Sequence, residues 1–130
     1  MSDDRRVAGL AILEQLFGGE PPASEVSADM MTLSTVHLFG EVWARPGLSL
    51  RDRELITVSV LAALGRERQL RLHLRGALNA GLTREELIET FMHLAYYAGY
   101  PAGFTALAIA KEVFDAIDAA SEAERPGALP

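Results

Sequence analysis

Three histidines, His37, His73 and His93, are the side chains of this 130-residue chain best suited to move protons near neutral pH. His73 stands in Leu70-Arg71-Leu72-His73-Leu74-Arg75-Gly76-Ala77, with Leu70, Leu74 and Ala77 at helical spacing around it. That pattern sets it on the apolar face of a helix. A histidine there is either a hydrogen-bonded core residue or a general acid/base tuned by burial and a carboxylate neighbour. Glu54 begins the preceding helix, one hairpin away. A carboxylate entering an apolar run needs a partner, and His73 or an arginine can supply it. His37 and Glu41 are spaced i,i+4. They make half a metal site at most, short of the three or four ligands required, or else a solvated or interface pair. Glu89, His93 and Tyr97 form a second i,i+4 row, opposite the apolar face of their helix, as a subunit contact would. A pocket formed at that contact would be lined by His93 and Tyr97.

Other chemistries are missing from the sequence. Cysteine is absent, which excludes disulfides, thiolate metal sites and thiol redox chemistry. Neither Ser34 nor Ser59 lies in a G-x-S-x-G elbow, and no phosphate loop or His-Glu-x-x-His occurs. The balance of 12 basic to 18 acidic residues, net charge -6, argues against a nucleic-acid partner. All basic residues except Lys111 are arginine, whose planar fork suits fixed recognition of anions. What remains is acid/base work without a metal or other cofactor, or electrostatic steering by arginine.

The elements that must position these residues are helices, and the fold class is all-α. Helical periodicity predicts a first helix over about 3–17, ended by Gly18-Gly19-Glu20-Pro21-Pro22. A second follows from a cap at Ser27 and stops at Arg45-Pro46-Gly47. Ser49 with Asp52 opens a third through Leu64. Apolar on nearly every face, it belongs mid-bundle or in a subunit interface. A fourth covers about 67–80. A capping box, Thr83-Arg84-Glu85-Glu86, starts a fifth that buries Leu87, Ile88, Phe91, Leu94, Ala95 and Ala98. A sixth runs over about 102–119. The reading is a single domain, residues 1–120, with a frayed tail at 121–130. The start is charged and mixed in sign, and the longest apolar run falls short of a membrane span. The expectation is a cytoplasmic protein that self-associates, because the third helix and the tyrosines at 96, 97 and 100 offer more apolar surface than one subunit buries.

Several strings agree in order and spacing with one family. They are Gly40-Glu41-Val42-Trp43-Ala44-Arg45-Pro46-Gly47-Leu48, Arg51-Asp52-Arg53-Glu54-Leu55-Ile56-Thr57-Val58, Arg71-Leu72-His73-Leu74-Arg75-Gly76-Ala77 and His93-Leu94-Ala95-Tyr96-Tyr97-Ala98-Gly99-Tyr100-Pro101. Over positions 36 to 115 the chain resembles the carboxymuconolactone decarboxylase family, which shares its all-α fold with alkylhydroperoxidase D-type reductases. The peroxidase branch carries Cys-x-x-Cys between a Glu and a His. At the matching positions this chain has Arg66 and Gln69, between Glu54 and His73. The resemblance therefore implies the decarboxylase branch, whose reference reaction takes 4-carboxymuconolactone to an enol-lactone and CO2 without a cofactor. It implies His73 as proton donor and Glu54 as its orienting partner. Arg51, Arg53 or Arg66 would hold a carboxylate of the small organic acid, with Glu41, Trp43 and His93 as pocket or interface residues. It also implies a trimer or a hexamer. Members of the family serve secondary metabolism on other cyclic or polyketide-like acids, which is the alternative, together with a non-catalytic small-molecule-binding oligomer. One departure lies near the start, where Leu16-Phe17-Gly18-Gly19 replaces the histidine-bearing arm of the decarboxylases.

Overall fold

A computed structural model of the chain describes residues 2–127. Its helices are α1 (Ser2–Phe17), α2 (Ala28–Leu33), α3 (Leu50–Leu64), α4 (Glu67–Asn79), α5 (Arg84–Ala98) and α6 (Tyr100–Glu124). Between α2 and α3, a π-helix (Ser34–Val42) continues directly from α2. Among the described residues there is no strand, as the periodicity predicts.

Helices α3 to α6 pack around one core that includes Val58, Leu74, Leu87, Phe91 and Ile109. A second, smaller cluster joins Leu13 and Leu16 of α1 to Phe39 and Trp43. Helix α1 lies between the π-helix and α4, touching both. This stacking brings the two clusters together along α4.

Local chemistry sets where these helices begin. The Ser49 hydroxyl accepts the Asp52 backbone N–H at 3.1 Å, fixing the first turn of α3. Thr83 and Glu86 satisfy each other's backbone N–H groups in a full capping box. Ser27 differs from expectation. Its hydroxyl accepts the backbone N–H of Ser24 at 3.1 Å and makes no bond to α2. Its backbone (φ -110°, ψ 3°) lacks the extended geometry that aims an N-cap side chain at the helix.

Burial also departs from the sequence reading. Ile88 and Ala98 of α5 are exposed. Helix α3 buries only Glu54, Val58 and Ala62, while Ile56, Val60 and Leu64 face outward, which fits the interface alternative for this helix rather than the mid-bundle one. Helix α6 runs to Glu124, into the segment assigned to a tail, and 128–130 lie outside the described residues. Among the described residues no helix is long and apolar enough to cross a membrane.

Candidate active site

The first turn of α3, fixed by Ser49, directs Glu54 inward against α4. The Glu54 side chain is completely buried, and its Oε1 lies 2.7 Å from Nδ1 of His73, itself 12% exposed. The other carboxyl oxygen, Oε2, is buried without a hydrogen-bond partner. It occupies space that only a glycine leaves free, since a Cβ on Gly76 would lie 2.1 Å from it. Gly76 and His73, three residues apart on α4, thus form the floor on which the carboxyl rests.

Aromatic rings enclose the pair. Phe17, the last residue of α1, meets the imidazole edge-to-face with centroids 5.3 Å apart. Trp43, just past the π-helix, stacks on it at 6.1 Å with a 28° tilt, and Phe39 stands behind Trp43 at 5.4 Å. Burial pushes the Glu54 carboxyl above the usual carboxylate range, and the hydrogen bond from His73 only partly opposes this. With Nδ1 committed to Glu54, Nε2 is the ring nitrogen left to meet a substrate. The arrangement can hold a proton and deliver it to a nearby atom in poorly hydrated surroundings.

The structure therefore brings Glu54, His73 and Trp43 together. The remaining sequence candidates stand elsewhere in the single chain. Arg51 is paired with Glu86 of the α5 capping box and lies 3.7 Å from Asp52. Arg53 donates from Nη2 to the backbone carbonyl of Arg45 at 3.1 Å. Arg66 is exposed at the start of α4. Glu41 is exposed and shared between Arg5 and His37, which holds its carboxyl below the usual range. His93 lies beside Tyr97, ring centroids 5.1 Å apart, in a surface cleft of about 640 Å³ between α3 and α5.

Sequence reasoning did not assign Phe17, Phe39 or Gly76 to the site. For Gly76 a signal existed, because glycine inside a helix costs about 1 kcal/mol relative to alanine and implies a close approach. Phe17 carried none. Its place depends on how α1 docks against α4, which local pattern does not encode.

Residues 28–112 match the model of the carboxymuconolactone decarboxylase family. A 4-carboxymuconolactone decarboxylase from Acinetobacter baylyi is 38% identical over 129 residues, covering 94% of this chain and 96% of that protein. A nitrosuccinic acid decarboxylase from Metarhizium robertsii is 34% identical over 94 residues, covering 72% of this chain and 66% of that protein. An uncharacterized 15.0 kDa protein from Paracoccus denitrificans is 36% identical over 91 residues, 68% of this chain and 65% of that protein.

Proposed function

The chain belongs to the carboxymuconolactone decarboxylase family, and from that premise we propose that it is a cofactor-independent carboxy-lyase of the 4-carboxymuconolactone type, acting in aromatic-compound catabolism. The observation that carries this reading is the 2.7 Å hydrogen bond between buried Glu54 and Nδ1 of His73 inside an aromatic enclosure. The likeness to the Acinetobacter enzyme over nearly the whole chain supports the same substrate class.

The chemistry asks little beyond what these residues offer. The bond from carbon to the departing carboxylate breaks, CO2 leaves, and the electron pair enters the conjugated lactone as a dienolate. A poorly hydrated site favours loss of the carboxylate's charge, and a donor near the lactone carbonyl stabilises the developing oxyanion. Carbon then takes a proton from Nε2 of His73, while Glu54 at Nδ1 holds the ring in place and balances the charge change. His73→Ala is expected to lose about 10²–10⁴-fold in turnover, measured as CO2 release or loss of substrate absorbance. Glu54→Gln should fall less steeply. Folded variants that both retain full turnover would overturn the roles.

A second reading rests on the Metarhizium relative, which by its name decarboxylates a different acid. If 4-carboxymuconolactone is not consumed, other small carboxylated substrates of secondary metabolism come next. Ligand-dependent thermal stabilisation with no CO2 release would identify a binding protein instead. We take the protein to be cytoplasmic and a homo-oligomer, trimeric or hexameric. The exposed apolar residues of α3, α5 and α6 support the association.

A further inference from the structure

Helix α1 ends in a buried carbonyl that its own chain does not satisfy. The last carbonyls of a helix have no intrahelical donor. Those of Leu13 and Glu14 take the backbone N–H groups of Gly19 and Gly18. Leu16 is 0% exposed, so its carbonyl needs a donor from the protein. That donor is Nδ2 of Asn79, the last residue of α4, at 2.6 Å and 63 positions along the chain. The next residue after Leu16 is Phe17, whose ring meets the His73 imidazole. We propose that Asn79 is a positioning residue of the candidate active site, its bond to Leu16 holding Phe17 closed over His73. The role rests on the reading of Glu54 and His73 as the working pair.

The ring needs holding because it has somewhere else to go. Phe17 also lines a cavity of about 340 Å³, together with Leu72, Arg75, Leu78, Asn79 and Ile117. A cavity of about 150 Å³ already accommodates a benzene ring. The chain beyond the ring restrains it little. Gly18 and Gly19, with φ of 77° and 147°, separate Phe17 from Glu20, whose carboxylate accepts the Thr35 hydroxyl at 2.7 Å. Glycines are free to rotate there, so that bond fixes the loop and not the ring. Phe17 closes on the other half of the pair as well. A Cβ on Gly76 would lie 2.7 Å from Cε1 of Phe17 and 2.1 Å from Oε2 of Glu54, so both converge on one spot of α4. With the Asn79 amide removed, the Leu16 carbonyl finds a donor only by lifting into water, and Phe17 moves with it.

Trp43, the one tryptophan of the chain, reports this closure, being 6% exposed and stacked on His73. Acrylamide quenching of its fluorescence is measured in the parent, Asn79→Ala, Phe17→Ala and the double variant, together with turnover of 4-carboxymuconolactone. Asn79→Ala is expected to raise the quenching constant and to lower kcat by about 10–100-fold, the loss that follows a small misplacement near reacting atoms. Phe17→Ala should do the same. Adding Asn79→Ala to Phe17→Ala should then change either readout by less than about 2-fold, because the two residues act in series. A residue that merely stabilised the end of α1 would give losses that multiply in the double variant. That result overturns the role, as does parental quenching or parental kcat in Asn79→Ala. If Asn79→Ala does not fold, Asn79→Ser decides by the same criteria. If the parent releases no CO2, the decarboxylase reading fails separately, and the quenching measurements alone decide for Asn79.

Discussion

Glu54 is a completely buried carboxyl with one hydrogen bond and one unpartnered oxygen. Desolvation raises its proton affinity in the folded state, so folding and protonation are linked. With the folded value above the unfolded one, this group's contribution to stability is fully present below about 4.5, the ordinary value of a glutamate, and is lost as pH rises through the folded value. The parent should therefore lose stability between that region and neutral pH relative to Glu54→Gln, which cannot titrate. Denaturant midpoints of both proteins measured from mildly acidic to neutral pH give the comparison, and parallel curves would contradict the linkage. At this scale the sequence showed a good deal. The helical phase of His73 and the isolation of Glu54 in an apolar run both pointed to a pairing, and the 2.7 Å contact supplies it. The unmatched Oε2 was invisible, because it follows from how closely α3 approaches α4.

At the scale of elements, the enclosure depends on how α1 meets the π-helix. The two approach backbone to backbone. A Cβ on Gly9 would lie 1.9 Å from the carbonyl oxygen of Thr35, and one on Gly40 would lie 2.1 Å from that of Arg5. A backbone carbonyl cannot swing aside as a side chain can, so the helices would have to separate. Gly40→Ala is therefore expected to cost about 3 kcal/mol, the upper part of the range for overpacking, despite alanine's better helix propensity. Because α1 ends in Phe17 and the π-helix leads to Trp43, the same variant should loosen both rings around His73 and lower turnover. Chemical denaturation with parallel activity assays checks this, and parental stability would show that the contact is unimportant. Here the sequence was only partly legible. Ser49 and the Thr83–Glu86 box announced α3 and α5, because capping is local chemistry. The division of the second helical segment into α2 and a nine-residue π-helix was not. Its widened register places Trp43 N–H on the carbonyl of Leu38, and packing against α1 rather than propensity accompanies it.

At the scale of the whole molecule, one chain leaves much apolar surface uncovered. Ile56, Val60 and Leu64 form an exposed i,i+4,i+8 stripe on α3, and Ile88, Met92 and Tyr96 form another on α5. Tyr97, Tyr100 and Phe104 extend the exposure to the start of α6, with Phe104 70% accessible. The all-round apolar character of α3 raised two possibilities in the sequence, mid-bundle burial or an interface between subunits. The outward stripe favours the second, since a buried central helix would show no such face. Phe104→Glu separates the possibilities energetically. In an isolated subunit a change at so exposed a position should alter stability by no more than about 0.5 kcal/mol. In an assembly it would place a charge in an apolar contact and break that contact. The parent should therefore scatter light as a multi-subunit species at micromolar concentration, and Phe104→Glu should shift toward a smaller mass while its isolated fold persists. A monomeric parent would remove the interface role from these stripes. An unchanged mass in Phe104→Glu would exclude only the start of α6 from the contact, leaving the α3 stripe to be tested by Val60→Glu in the same measurement.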